Sequence, residues 1–111
     1  MTKQTFFVRL IPPRASFTDD ITPDELALMQ AHFVYTQQHF EAGQVLVFGP
    51  VFAEGGTFGM AVLNVDTIAD VHTFMAGDPS IQAGLNTYEV WPMRLGGAQS
   101  ARETAGFNEK N

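Results

Sequence analysis

Alternation of apolar and polar residues predicts a first strand over residues 5–11, which Pro12 and Pro13 end. Its two faces are expected to separate the side chains into one set of Phe6, Val8 and Leu10 and another of Phe7 and Arg9. Residues 14–21 follow as a predicted loop.

A helix is then predicted from Pro23 to about residue 42. Thr22 stands at the N-cap, Pro23 at the first helical position and Glu25 three residues after the cap, the arrangement of a capping box. Gly43 is expected to end the helix. Spacings of three and four predict one buried stripe, formed by Leu26, Met29, Phe33, Thr36 and Phe40.

The second half of the chain predicts three more strands and a short helix. The strands are expected at residues 44–48, closed by Gly49-Pro50, at 57–65, after a loose hairpin, and at 86–93. Thr67 and Asp70 resemble a second capping pair. This pair starts a short helix, whose side chains Ile68, Val71 and Met75 are expected to face inward. The helix is expected to end at residues 77–79, and a loop to follow it.

The resulting order β-α-β-β-α-β predicts a ferredoxin-like α+β sandwich, in which two helices cover one face of an antiparallel sheet. We expect a single domain over residues 1–95 and a polar tail over 96–111, which is either a frayed end or an arm onto a partner. The uncovered face should carry Phe7, Arg9 and part of two rows, Leu46 with Phe48 and Trp91 with Met93. A homodimer through the sheet faces, or shielding by the tail, would cover it.

Composition favours the dimer. The chain has 111 residues, of which 45% are apolar and 16% charged, against the usual figure of about 25% charged. Ten of its aromatic residues are Phe, beside two Tyr and one Trp. This indicates more apolar surface than one small core requires, so a partner subunit or an apolar pocket is expected to take the remainder.

Charge and residue types exclude several classes of protein. A net charge of −6 without clustered Lys or Arg argues against nucleic acid and anionic membranes as partners. No apolar run reaches the ~20 residues of a membrane span, and the first residues lack the pattern of a signal peptide. The absence of cysteine excludes disulfides and thiolate chemistry and fits a cytoplasmic protein.

Motifs for cofactors and nucleophiles are also missing. Gly55-Gly56 lacks the lysine and following helix of a phosphate-binding loop, and no histidine has a metal-ligand spacing, so we expect neither a cofactor nor a metal. The three serines, Ser16, Ser80 and Ser100, lie outside any nucleophile motif.

His32 is the first candidate for chemistry. Helical geometry places it at the edge of the predicted stripe, where an imidazole either lines a pocket or bonds a carbonyl at the rim of the core. His39 and His72 are expected to face solvent. Asp78 precedes a proline after a helix, a position that is typical of a turn-forming residue.

An ordered set of short motifs resembles the YCII-related family over residues 6–94. The set consists of His32, Gly43, Val45-Leu46-Val47-Phe48-Gly49-Pro50, Asp78-Pro79, Gly84-Leu85 and Tyr88-Glu89-Val90-Trp91-Pro92. The resemblance implies a dimeric ferredoxin-like fold of the α+β barrel type. It also implies a catalytic pair in which His32 acts as base or acid and Asp78 orients it. One branch of the family removes chloride from a chlorinated hydroxyquinol.

Three functions therefore compete. The chain is an enzyme, a lyase or isomerase acting on a small cyclic or aromatic compound without a cofactor; a ligand-binding or accessory dimer; or a purely structural dimer. For the enzyme we expect His32 and Asp78 to be catalytic and the substrate to be bound by Arg9, Phe48, Gly49 and Pro50. Arg9 has two possible partners, an acidic substrate oxygen or a group across the dimer interface.

Overall fold

The computed structural model describes residues 2–99 and contains one antiparallel sheet. Its strands are β1 (Gln4–Ile11), β2 (Val45–Ala53), β3 (Gly56–Val65) and β4 (Thr87–Met93). They lie in the order β2-β3-β1-β4, and every neighbouring pair is antiparallel. This topology confirms the predicted ferredoxin-like α+β fold.

Four helices connect these strands: α1 (Phe17–Asp20), α2 (Pro23–Glu41), α3 (Ile68–Ala76) and α4 (Pro79–Gln82). The expectation of plain loops before α2 and after α3 is therefore wrong. Both missed helices are single turns, too short to show a hydrophobic period. α1 exists because it buries Phe17, and α4 begins at a proline directly after its N-cap, Asp78.

Both predicted capping boxes are confirmed. The Thr22 hydroxyl accepts from the amide of Glu25 at 3.2 Å, and the Glu25 carboxylate accepts from the amide of Thr22 at 2.9 Å. Thr67 and Asp70 form the same reciprocal pair. Gly43 adopts a φ of 91° just beyond α2, as its role in ending that helix requires. These caps determine where each helix starts and so where its side chains stand over the sheet.

The core lies between the sheet and the helices. The predicted inner face of β1 is confirmed, because Phe6, Val8 and Leu10 are all buried. α3 covers them with Val71, Phe74 and Met75. Burying each such side chain contributes about 1.5–3 kcal/mol.

Ile68 is the exception on α3, since it is 46% exposed rather than pointing inward. At about 100° per residue it is rotated by roughly 60° from Val71, and it is the first residue of the helix. It therefore lies at the edge of the packed face.

α2 is rotated about its axis relative to the prediction. Leu26, Phe33 and Phe40 are 46%, 55% and 41% exposed, so the expected buried stripe is wrong for these three residues, although Thr36 is buried. The least exposed face of the helix is centred near His32.

The rotation follows from what lies on each side of α2. One flank lies along β2, where Phe33 and Phe40 contact Phe48 with ring centroids 5.8 and 5.7 Å apart. The other flank packs against α3 and α4. A helix held from both sides turns the residues between its flanks inward, and in α2 those residues are largely polar.

β2 is longer than predicted and continues through Gly49 and Pro50 to Ala53. Proline is tolerated because β2 is an edge strand. The β2–β3 connection is a tight hairpin, with Ala53 opposite Gly56, rather than a loose one. A register shift between Val45 and Val47 places Phe48 on the helix side, so it does not share the open face.

The open face of the sheet carries a row of apolar residues across all four strands: Val47, Val62, Phe7 and Trp91. As predicted, Phe7 and Trp91 lie together on this face, with ring centroids 6.0 Å apart. Trp91 is 46% exposed. This row, with Arg9 and Glu89 beside it, is called the open-face row below.

No helix in residues 2–99 is long and apolar enough to cross a membrane. Residues 94–99 contain neither helix nor strand. Most of the tail that was expected over 96–111 lies outside the described residues.

Candidate functional site

The structure brings His32 and Asp78 together although they are 46 positions apart in the chain. His32 Nδ1 lies 2.7 Å from Asp78 Oδ2. His32 comes from the inward face of α2, and Asp78 from the junction between α3 and α4. The contact therefore joins α2 to the α3–α4 junction beside it on the sheet.

Local sequence explains why Asp78 stands at this junction. Gly77 ends α3, and Pro79 keeps the backbone of Asp78 extended, with φ −73° and ψ 124°. Asp78 is thereby the N-cap of α4, and its Oδ1 accepts from the Ser80 amide at 2.8 Å and the Ser80 hydroxyl at 2.9 Å. The expected turn-forming role is thus present together with the contact to His32.

The carboxylate of Asp78 is buried, with 1% of the residue exposed. Burial by itself raises the pKa of Asp78, but the hydrogen bond and charge of His32 and the two Ser80 donors outweigh it, so the pKa is lowered. An ionised carboxylate only accepts hydrogen bonds, so Nδ1 of His32 is the donor. The nitrogen left for other chemistry is Nε2, on a side chain that is 20% exposed.

A second contact holds α2 against the same junction. The Tyr35 hydroxyl donates to the Phe74 carbonyl at 2.6 Å, and its ring stacks on Phe74 with centroids 5.3 Å apart. Gly77 leaves the space that this hydroxyl occupies, because a Cβ there would collide with it. Burial, and secondly the charge of Asp78, raise the pKa of Tyr35. Because Tyr35 lies one turn after His32 in α2, its contact with Phe74 also helps to hold His32 against the junction.

The other histidines make different contacts. His39 was expected to face solvent but is half-buried: its Nδ1 donates to the Tyr35 carbonyl at 2.9 Å, and its ring lies edge-on to Phe74. That expectation is wrong because α2 is rotated. His72 is exposed, as predicted, and its Nδ1 lies 2.6 Å from the Tyr88 hydroxyl.

The remaining candidate residues are divided between two faces. Arg9 lies on the open face of the sheet, 3.9 Å from Glu89 and 4.6 Å from the ring centroid of Phe58, and not on the face that α2 covers. Phe48 lies on the helix side, against Phe33, the residue that follows His32. Gly49 and Pro50 follow Phe48 in β2. The structure therefore brings Phe48, but not Arg9, to the side of the sheet where His32 lies.

A shallow cleft of about 440 Å³ lies elsewhere, between the start of α1 and the β2–β3 turn. Its lining includes Ser16, Asp19, Glu54 and Thr57, but neither His32 nor Asp78. Within the described part of the chain, no three His, Asp or Glu side chains are grouped to hold a metal ion.

Ser80 is one of two site residues that sequence reasoning missed, because it was weighed only as a nucleophile. A signal for its true place exists: Asp78-Pro79-Ser80 has the N-cap, N1 and N2 residues of a helix start. Tyr35 was missed as well, because no local sequence pattern predicts that a side chain will donate a hydrogen bond to the end of another helix.

Comparisons with known proteins agree with the fold. The sequence model of the YCII-related domain matches residues 5–94. Among solved structures, the fold resembles 5-chloro-2-hydroxyhydroquinone dehydrochlorinase from Burkholderia phenoliruptrix, in complex with 2,5-dihydroxybenzoquinone. The TM-score is 0.65 at 20% sequence identity, covering 83% of this chain and 95% of the other. A search of curated proteins found no match.

Proposed function

The chain belongs to the YCII-related domain family, and we propose that it is an enzyme that moves a proton on a small cyclic or aromatic substrate. His32 is the proposed acid or base, and Asp78 is its orienting partner. The reaction class is a lyase or isomerase reaction, of which dehydrochlorination is one example.

The observation that carries the proposal is the 2.7 Å contact between His32 Nδ1 and Asp78 Oδ2. In the neutral imidazole, with Nδ1 donating to the carboxylate, Nε2 carries the lone pair that accepts a proton. The imidazolium that forms then faces the negative charge of Asp78, which stabilises it. In an isomerisation, Nε2 returns the proton at another ring position. In an elimination, Nε2 takes the proton, the electron pair of the broken bond to hydrogen forms a new double bond, and the leaving group departs with its bonding electrons. Nε2 later gives the proton to solvent.

The proposed substrate class follows from the structural neighbour, whose name identifies a chlorinated hydroquinone. We propose Phe48 as the apolar wall that a ring of this kind packs against, with Gly49 and Pro50 beside it in β2. Phe48 supports this role because it lies on the helix side of the sheet, next to Phe33.

The open-face row is the proposed interface of a homodimer. Trp91 and Val47 are 46% and 47% exposed there, and Arg9 and Glu89 supply one positive and one negative group. A two-fold axis places like patches together, so each of these charges can meet its opposite on the second copy. On this account Arg9 serves the interface rather than the substrate.

A second candidate function is ligand binding without catalysis. It is favoured by the dual role of Asp78, whose burial and hydrogen bonds are also explained by its place as the N-cap of α4. In that case His32 serves to join α2 to the α3–α4 junction.

Turnover of 5-chloro-2-hydroxyhydroquinone, followed as chloride release, separates the two candidates. We expect the unaltered chain to release chloride and His32→Gln to lower kcat by about 100-fold or more. His72→Gln is the matched control, since it alters an exposed imidazole that also has a partner. Equal rates in the unaltered chain and His32→Gln would reject the proposed base. Binding without chloride release would favour the second candidate.

A further inference from the structure

The two oxygens of Asp78 are used differently. Oδ2 faces His32, and Oδ1 accepts both the amide and the hydroxyl of Ser80. We propose that Ser80 is a positioning residue for the His32–Asp78 pair, whose hydroxyl locks the carboxylate so that Oδ2 stays aimed at Nδ1. This inference deepens the proposed function and rests on it for its catalytic consequence.

The hydroxyl is more than the helix start requires. An N-cap carboxylate needs only a backbone amide of the first turn, and the Ser80 amide provides it at 2.8 Å. The hydroxyl adds a second donor to the same oxygen at 2.9 Å, from a residue that is 0% exposed. This additional bond involves no backbone group, so it acts on the carboxylate side chain.

Two donors on one oxygen restrict how the carboxylate can turn. With the amide alone, the carboxylate plane tilts more freely about its last bond, which moves Oδ2 away from Nδ1 of His32. With the hydroxyl as well, rotation breaks two bonds in a buried site, where no water replaces them. Ser80 therefore orients Asp78 as Asp78 orients His32.

Few other groups compensate the charge of Asp78. Within residues 2–99, its carboxylate makes hydrogen bonds to His32 and Ser80 only. The nearby Tyr35 hydroxyl donates instead to the Phe74 carbonyl. Ser80 is consequently one of two residues that offset the burial of this carboxylate, and it helps to keep the pKa of Asp78 low.

The test uses NMR of the whole chain and compares Ser80→Ala with Ser80→Thr. Ser80→Ala removes the hydroxyl, and Ser80→Thr retains it. Ser16→Ala is the matched control, because the Ser16 hydroxyl also donates to a carboxylate, Asp20 Oδ2, at 2.7 Å, but on the surface. The readouts are the carboxyl carbon of Asp78 across a pH series and the Nδ1 proton of His32.

In Ser80→Ala we expect the acid dissociation constant of Asp78 to fall about tenfold, because one hydrogen bond to a buried charge is lost. We expect the Nδ1 proton of His32 to exchange with solvent faster, and both signals to return toward normal in Ser80→Thr. Neither should change in Ser16→Ala. Unchanged Asp78 and His32 signals in a folded Ser80→Ala protein would overturn the inference.

These signals need no substrate, so they test Ser80 separately from the proposed enzyme. If turnover is found, Ser80→Ala should lower kcat about tenfold and leave KM nearly unchanged, as expected of a residue that acts through the dyad. Normal kcat with altered NMR signals would contradict the catalytic part alone.

Discussion

Two carboxylate clusters in this chain use nearly the same hydrogen bonds at very different depths. Asp78 accepts from an imidazole and a serine and is 1% exposed. Asp20 accepts from Arg14 and a serine, with 52% of its side chain exposed. Arg14 also holds Glu25 with two parallel bonds of 2.9 and 2.7 Å.

Burial decides what each cluster can do. At the surface, water replaces a lost partner and salt screens the charges. The cluster of Arg14, Asp20 and Glu25 therefore joins α1 to α2 with little gain in stability. In the interior no water replaces a lost partner, so each bond to Asp78 resists change. A fixed imidazole is what proton transfer needs, and only the buried cluster supplies one.

The largest expected effect is the loss of the buried carboxylate. Asp78→Ala leaves His32 and the Ser80 donors without their partner and removes the cap of α4, so we expect unfolding free energy to fall by roughly 3–5 kcal/mol. Asp20→Ala should cost far less, because its partners turn to water. Urea denaturation measures both variants, and equal losses would show that depth does not distinguish the clusters.

A smaller loss of stability is expected from disturbing the packing of α2 against the α3–α4 junction. Gly77→Ala places a methyl against the Tyr35 hydroxyl, so we expect a loss of about 1–3 kcal/mol from overpacking. Tyr35→Phe removes the hydroxyl, and the double variant should lose less than the sum of the single losses. Gly55→Ala, where the added methyl meets open space, is the control. Fully additive losses of unfolding free energy would show that the collision between the added methyl and the Tyr35 hydroxyl does not cause the loss in Gly77→Ala.

Changes of pH and salt should give the smallest differences in stability between the two clusters. The pKa of Asp78 is lowered by His32 and Ser80 despite burial, and that of Glu25 is lowered to about 2, from 4.5, chiefly by Arg14. Groups with a lowered pKa stabilise the fold above their unfolded pKa and lose that contribution as pH falls through the folded pKa. Stability should therefore decline from about pH 4.5 downward.

The two clusters should differ in their response to salt. Asp78→Asn should remove part of the loss of stability at low pH, and that part should be the same at low and high salt. Glu25→Gln should also remove a part, but this part should be smaller at 1 M NaCl, where the screening length is about 3 Å. Thermal melts over a grid of pH and salt measure this. Equal salt sensitivity would contradict the difference in depth.

The sequence predicts most of the fold because its signals are local. Capping boxes at Thr22 and Thr67, alternation in β1 and the order of the four strands and two longer helices are all confirmed by the structure. The rotation of α2 could not be predicted, because it depends on its contacts with β2 on one flank and α3 on the other. Rows of Phe at helical spacing mark a flank here rather than the buried face.

The candidate site was predictable only in part. His32 and Asp78 were paired through a family resemblance, since nothing in the spacing of two residues 46 apart places them in contact. Ser80 and Tyr35 entered only with the structure, because their roles depend on atoms of other elements. Arg9 was predicted on the open face of the sheet and lies there, and its role, at the substrate or at a dimer interface, stays a prediction.

The most direct test of the central claim is to ask where a ring compound binds. We propose titrating the chain, labelled at its histidine nitrogens and backbone amides, with 2,5-dihydroxybenzoquinone. The account predicts that the Nε2 signal of His32 shifts with saturation and that His32→Gln abolishes the shifts of neighbouring amides. Shifts confined to the cleft around Ser16 and Thr57, with the His32 nitrogens unchanged, would contradict it.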